Sequence, residues 1–275
     1  MTSTVAFQGE KGAYSEEGAA ALFPDAALVP LSSIRKVFEA VEVGRVEYGL
    51  VPVDNSQAGS INETYDLFLK HGLHLVAETV VRVDHCLLAL PGTNPDDLRE
   101  VISHFQAIAQ CEEFLSALEV KVRAEYDTAG AAKRVAEETL RTTGAIASRR
   151  AGEMYGLQIL AERIQTYPDN HTRFAALSRD PQPLASPDKS SLVFGVGHVA
   201  GSLYRCLGAL AERHLSLTKL ESRPRAGRPW EYVFYADVLA AAQSPAMVDA
   251  LSELSEHATF TRLLDSYAAA IPGHS

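Results

Sequence analysis

The segment Pro168-Asp169-Asn170-His171-Thr172-Arg173-Phe174 puts a carboxamide, a hydroxyl and a guanidinium between a Pro-Asp-Asn turn and an apolar run over 174–177 that reads as a strand. A hydroxyl and an amide held at a strand's mouth can grip a polar substrate. Turns of similar make-up lie upstream. Gln8-Gly9-Glu10-Lys11-Gly12-Ala13-Tyr14-Ser15 follows an apolar strand-like segment, 4–7; its glycines permit a tight turn, and Ser15 is placed to cap a helix over 16–22. Asp54-Asn55-Ser56-Gln57-Ala58-Gly59 follows a strand-like 48–53, and Ser60-Ile61-Asn62-Glu63 has capping-box spacing for a helix to about Lys70. Ser103-His104-Phe105-Gln106 repeats that spacing before a helix reaching Leu118. Asp127-Thr128-Ala129-Gly130 follows a strand over 122–126 and opens a helix through Leu140; Ser148-Arg149-Arg150 follows a short strand over 145–147 and opens one to Tyr155.

The device is strand, donor-rich turn, helix. Each copy aims free backbone N–H groups and a helix dipole at the carboxyl ends of the strands, and side-chain donors stand at every turn. The pattern suits a small polyanion carrying carboxylates. His104, in a capping turn, reads either as an acid or as a structural cap. Arg149 and Arg173 each could supply positive charge, and Arg173 reads equally as an inter-strand ion pair. Phe174 reads as packing on the cleft floor.

The frame that must hold these turns is α/β. Ser32 and Ser33 cap a second helix with Val37, Phe38 and Val41 on one face, and 73–90 is a β-rich run long enough for two strands or one continuous strand. Residues 179–189, with three prolines and little apolar content, read as a connector. The resulting organisation is 1–180, a linker over 181–189, and a C-terminal module over 190–275. In that module the order is strand 190–196, helix 201–214, strand 215–220, strand 230–238, a helix from Ser244-Pro245, and strand 260–264. This is βαββαβ, a ferredoxin-like unit, small enough to gain from a partner along an edge or a helix face.

Composition narrows the partners. The chain has 275 residues, 47% hydrophobic and 22% charged, with a formal net charge of -10. That balance argues against nucleic acid and an anionic membrane. Cys86, Cys111 and Cys206 lack disulfide or metal-ligand spacing and read as buried thiols of a cytoplasmic protein, and the nine histidines are scattered. No metal and no cofactor is expected. Neither a secretory leader nor an apolar run of membrane-spanning length is recognisable.

The motifs together resemble the prephenate dehydratase family with a C-terminal ACT regulatory domain. The resemblance rests on Gly12-Ala13-Tyr14-Ser15-Glu16-Glu17, on Val51-Pro52-Val53-Asp54-Asn55-Ser56 with Gly59 through Leu67, and on Ser103 through Cys111. Further matches are Thr128-Ala129-Gly130-Ala131-Ala132, Ala145 through Ala151, Asn170-His171-Thr172-Arg173-Phe174 and, in the last module, Glu221-Ser222-Arg223-Pro224. It implies two α/β lobes like a type II periplasmic binding protein with a cleft between them, followed by the ACT module. It also implies conversion of prephenate to phenylpyruvate, water and carbon dioxide in phenylalanine biosynthesis, by a monofunctional enzyme. Arogenate as substrate, and a non-catalytic small-anion binder on the same fold, are the competing readings.

By resemblance, Thr172 engages the leaving hydroxyl, and Ser15, Asn55, Ser56, Ser103, Gln106, Thr128, Ser148, Asn170, Arg173 and Phe174 form the substrate site. Gly201, Ser202 and Leu203, with a turn at Glu221, Ser222, Arg223 and Pro224, would hold phenylalanine as allosteric effector at the interface of a homodimer or homotetramer. The chain departs from the family pattern at Asp54 (usually Glu), at Phe105 (usually Pro) and at Ala200-Gly201-Ser202-Leu203 (usually Pro-Gly-Ala-Leu).

Overall fold

The computed structural model describes residues 2–270 apart from 182, 184 and 226–230. Trp230, the expected start of a strand, and most of the basic stretch after Pro224 lie outside the described residues.

The first half of the chain runs β1 (Thr4–Gln8), α1 (Tyr14–Leu22), β2 (Ala27–Leu31), α2 (Ile34–Glu42), β3 (Tyr48–Asn55), β4 (Gly59–Ser60), α3 (Asn62–Lys70) and β5 (His74–Arg82). Next come β6 (Cys86–Ala89), β7 (Glu100–His104), α4 (Phe105–Gln110), α5 (Glu112–Leu118), β8 (Lys121–Glu125), α6 (Thr128–Glu137), β9 (Thr143–Ala147), α7 (Arg149–Tyr155) and β10 (Gln158–Glu162). β11 (His171–Ser178) returns to the first sheet, whose order is β2-β1-β3-β11-β5 with β4 on β3. The second sheet is β10-β6-β9-β7-β8. β1 is parallel to β2 and β3, and β7 to β8 and β9, so each sheet is built from crossover units that leave helix N-termini at the strands' carboxyl ends.

The apolar strand residues explain the layering. Val5, Ala6, Phe7, Leu50 and Val51 are fully buried in the first sheet; Leu88, Ile102, Ala145 and Ala147 pack with the alanine-rich face of α6 in the second. Small residues let that helix sit close on its sheet, where Ala129, Ala131 and Ala132 are fully buried.

Several elements differ from the sequence reading. The 73–90 run is two strands in different sheets, broken by Val83-Asp84-His85, whose polar groups turn the chain. The helix expected from 105 to 118 breaks at Cys111 into α4 and α5. β2 and β10 were not anticipated; β2 has no fully buried residue and β10 is half-buried, so neither carries a strong apolar signal.

The remaining elements are β12 (Lys189–Val196), α8 (Ser202–Ala211), β13 (Leu217–Pro224), β14 (Tyr232–Val238), α9 (Pro245–His257) and β15 (Ala258–Tyr267). They form an antiparallel sheet of order β13-β14-β12-β15, with α8 and α9 packed around Leu192, Phe194, Phe234, Ala236 and Val238. This is the ferredoxin-like βαββαβ arrangement. The chain divides into two compact units, 1–64 with 79–174, and 65–78 with 175–275. In the second unit most of α3 lies against the sheet: the Tyr235 hydroxyl donates to the Tyr65 carbonyl (2.8 Å), and Arg262 donates to the carbonyls of Phe68 and His71 (2.9 and 3.0 Å). Lys189, buried, pairs with Glu78 at 3.0 Å and with Asp237 at 3.5 Å.

Candidate active site

A cavity of about 150 Å³ within the first unit is lined from both of its sheets. Gln8 and Asn55 come from the carboxyl ends of β1 and β3, His104 from that of β7, and Tyr126, Asp127 and Thr128 from the turn after β8. Thr172 and Phe174 enter from the start of β11. A cleft at the ends of parallel strands is where α/β folds place ligands, because the turns there are free of sheet packing.

Thr172 Oγ1 accepts a hydrogen bond from Asn55 Nδ2 at 3.1 Å, and no protein acceptor for its own hydrogen is found among the described residues. Its O–H is therefore left to donate into the cavity. Asn55 is held by an Asx turn: its Oδ1 accepts from the backbone N–H groups of Gln57 and Ala58 (3.1 and 2.9 Å). These backbone donors fix the carboxamide's orientation. Nδ2 then also reaches Asn170 Oδ1 (2.8 Å) and the His171 carbonyl (3.2 Å), so its two hydrogens are shared among three acceptors, Thr172 Oγ1 included. Gln110 Nε2 donates to Asn55 Oδ1 at 3.3 Å, while its Oε1 accepts from Asn170 Nδ2 and from His85 Nε2, each at 2.9 Å.

Of the residues expected to form the site, Thr172, Ser15, Asn55, Gln106, Thr128 and Phe174 line this cavity; Ser56, Ser103, Ser148, Asn170 and Arg173 do not. Ser15 is not the cap of α1. Its hydroxyl donates to the Gln8 carbonyl, Ala13 stands at the N-cap, and no side chain caps the helix. The first turn of α1 has no side-chain cap, and of the residues on the cavity wall Tyr14 and Ser15 can offer their amides to an anion, whereas the Ala13 N–H donates to the Glu10 carbonyl (3.1 Å). α6 is different, because Asp127 takes the Gly130 N–H at 3.0 Å and the Glu10 N–H at 3.2 Å.

Ser56 latches the β11 turn, donating to the Asp169 carbonyl (3.1 Å) and accepting from the His171 N–H (2.9 Å). Ser103 is fully buried and donates to the Ile146 carbonyl at 2.6 Å, tying β7 to β9; His104 takes the cap position on α4 instead, accepting from the Gln106 N–H. Ser148 caps α7 and donates to the Gly12 carbonyl at 2.7 Å. Asn170 is fully buried in the network beneath the cavity. Arg173 pairs with Asp54 through Nε at 3.0 Å and through Nη2, which favours the ion-pair reading. Arg149 pairs with Glu162 on an exposed surface.

None of the described residues lining the cavity is an arginine or lysine. Its titratable groups are all shifted by burial: His104 is pushed down from the usual imidazole range, Asp127 up from the carboxylate range, and Tyr14 well up. Sequence reasoning passed over Tyr14, His85, Gln110, Tyr126 and Asp127 as wall or support residues. Two of these carried a signal. Gln106 and Gln110 are four apart on one helix, hence on one face, and His85 directly precedes the apolar run 86–90.

In the second unit, Gly201 is the N-cap of α8 with φ +81°, Ser202 donates to the Val199 carbonyl at 2.8 Å, and Leu203 packs on the core. Glu221-Ser222-Arg223-Pro224 is not a turn but the end of strand β13, because its register with β14 continues to Tyr232. Alternation puts Ser222 opposite Phe234, on the sheet face that carries α8, and Glu221 and Arg223 on the other face. Arg223 Nη2 there meets Asp66 of α3 at 3.1 Å.

Against known families, residues 5–182 match the prephenate dehydratase model. The chain belongs to the prephenate dehydratase family. It is thereby a member of a family of dehydratases, carbon–oxygen lyases. The Arabidopsis thaliana chloroplastic protein arogenate dehydratase/prephenate dehydratase 2 is 43% identical over 274 residues, covering 96% of this chain and 72% of that relative. Other relatives of similar identity carry the name arogenate dehydratase alone. Among solved structures, the Arthrobacter aurescens prephenate dehydratase in complex with L-Phe is 29% identical with a TM-score of 0.88, covering 97% of this chain and 90% of that one. GqqA, described as a novel type of quorum-quenching acylase, is 34% identical with the same TM-score and covers 98% of both chains.

Proposed function

We propose that this family member converts prephenate to phenylpyruvate, water and carbon dioxide, with residues 1–180 carrying the reaction, 181–189 as linker and 190–275 as an ACT-type regulatory module. The observation that carries the reading is the Thr172 hydroxyl on the cavity wall, its oxygen accepting from Asn55 Nδ2, which leaves its hydrogen to donate to a bound group. Prephenate bears a ring hydroxyl opposite a quaternary carbon with one carboxylate and a pyruvyl group. Breaking the ring C–O bond while the C–CO₂ electron pair moves into the ring gives an aromatic product, so the chemical drive is large. The departing oxygen needs a donor, and Thr172 supplies that hydrogen bond; one proton from solvent completes the water. The α1 N-terminus suits the pyruvyl carboxylate. A cavity wall free of arginine and lysine leaves the second carboxylate weakly held, which favours its loss because that charge vanishes in the transition state.

The same geometry argues against acyl transfer. A nucleophilic threonine needs a base at its hydroxyl, whereas the partner of Thr172 Oγ1 is an N–H donor. Phenylalanine as effector draws on the relative solved with L-Phe, on Gly201 and on Ser222, the two of them on the α8 side of the sheet. We place its site between two copies of the module, since β13 and β15 are edge strands that a symmetric partner can cover. The buried thiols suit a reducing compartment such as the cytoplasm.

The test is aromatic product formation from prephenate and, separately, from arogenate, each with and without L-phenylalanine. Turnover of prephenate, lowered by phenylalanine, is expected. Turnover of arogenate alone would reassign the substrate, and turnover of neither would leave the binding-protein reading.

A further inference from the structure

Beneath the cavity, the hydrogen bonds around Thr172 run in one direction, and His85 stands at their far end. Asn55 is oriented by the backbone donors of Gln57 and Ala58, which can only face an oxygen. Its Nδ2 must then face Asn170 Oδ1, so Asn170 offers Nδ2 to Gln110 Oε1. Gln110 consequently offers Nε2 to Asn55 Oδ1, and its Oε1, already an acceptor, requires His85 Nε2 to carry a hydrogen. Each group thus donates to the next, from His85 to Gln110, to Asn55, to Thr172, and from Thr172 into the cavity. His85 is only 2% exposed: its backbone N–H donates to Gln165 Oε1 at 3.0 Å, and ring Nδ1 lies 3.2 Å from the Tyr14 hydroxyl, which also donates to the Asp84 carbonyl at 2.8 Å.

We propose that His85 is a positioning residue for the dehydration, holding the Gln110 carboxamide so that the Asn55–Thr172 pair presents a polarised O–H to the leaving group. The inference rests on the dehydratase reading given above. In a chain of donors, a hydroxyl that accepts a hydrogen bond becomes a better donor itself, which compensates for threonine being a poor acid. Without the Nε2–H, Gln110 Oε1 keeps only the Asn170 Nδ2 donor, and the carboxamide is held less tightly against Asn55. Burial pushes the His85 imidazole down from its ordinary range; in the neutral Nε2–H form Nδ1 shares the Tyr14 hydroxyl hydrogen with the Asp84 carbonyl, and a protonated ring would carry the Nε2–H as well.

The experiment compares the full-length wild type with His85→Met, His85→Gln and His85→Asn, under prephenate turnover and by ¹⁵N NMR of the imidazole. Glutamine can present an N–H near the place of Nε2; asparagine is too short to reach Gln110, and methionine has no donor. His85→Met is expected to lower kcat about tenfold with KM little changed, the scale of one lost hydrogen bond among buried groups. His85→Gln should recover most of that loss and His85→Asn should not. In a Thr172→Ala background, His85→Met should cost less than about twofold more, because its effect passes through the hydroxyl. The NMR arm needs no turnover: it should find the hydrogen on Nε2. Should His85→Met fail to fold, the glutamine and asparagine pair still separates positioning from packing. Equal kcat in those two, losses that multiply in the double variant, or a bare Nε2 would each overturn the proposal. A wild type that turns over neither prephenate nor arogenate would instead remove the reaction, with Nε2–H still read independently.

Discussion

At the scale of single residues, what decides the chemistry is which way a hydrogen points. Asn55→Asp keeps the shape of the side chain but replaces the N–H facing Thr172 Oγ1 with an oxygen. The threonine hydrogen should then turn toward the carboxylate and away from the leaving group. A fall in kcat of about a hundredfold, with KM changed much less, is expected from steady-state kinetics on prephenate. His104 gives a second prediction. Burial depresses its folded pKa, so the unfolded chain binds a proton more readily, and the associated stability is present above about pH 6.5 and is lost as pH falls from there through the folded value. Asp127, raised by burial, works the opposite way only toward the carboxylate range. His104→Asn keeps a capping acceptor on α4 without the titration. Its melting temperature should therefore shift less than that of the wild type between pH 7 and pH 5. The turns that carry Thr172 and Asn55 were legible in the sequence, and the structure sets both side chains on one cavity wall; their roles come from the family resemblance. The role of Ser103 was not legible, since a hydroxyl that bonds the Ile146 carbonyl looks in sequence like one that caps a helix.

At the scale of elements, the site depends on turns that admit little change. Gly12 has φ +86°, and a Cβ there would lie 2.8 Å from the Ala151 Cα, against backbone that cannot yield. Gly12→Ala is expected to cost about 2–4 kcal/mol of unfolding free energy, read by denaturant titration, through left-handed strain and overpacking. Arg173 and Asp54 join β11 to β3 beside the cavity, and both side chains are mostly buried. Arg173→Ala should cost about 1–3 kcal/mol, and Asp54→Ala/Arg173→Ala together less than the sum of the two single changes, because the two charges are in direct contact. Strands and helices with strong apolar patterns, such as β1, β3 and α2, could be read directly from sequence. The break of the expected 105–118 helix at Cys111 could not, because nothing in the composition there disfavours helix; the burial of Cys111, whose thiol is pushed up to about 12, is a tertiary effect.

At the scale of the whole molecule, the order of motifs was visible but the packing of 65–78 with the C-terminal segment was not. The three prolines and sparse apolar content of 179–189 suggest a division after 180, yet 65–78 packs in one unit with 175–275 through Tyr65, Glu78 and the Arg262 contacts to α3. Such a pairing of distant segments leaves no local trace. A chain cut near Arg179 would strip α3 of these partners, so point variants are the sounder way to separate regulation from catalysis. Ser222→Ala is expected to weaken phenylalanine inhibition with little change in turnover without phenylalanine, measured as the concentration for half inhibition. The formal charge of -10 makes capture of a dianion depend on local donors, among which the Thr172 hydroxyl is the one assigned to the leaving group. The most direct test measures kcat on prephenate for the wild type, Thr172→Ser and Thr172→Val. Retention of most activity by serine and a loss of about two to three orders of magnitude in folded Thr172→Val is the predicted result; a valine variant that turns over prephenate like the wild type would contradict it.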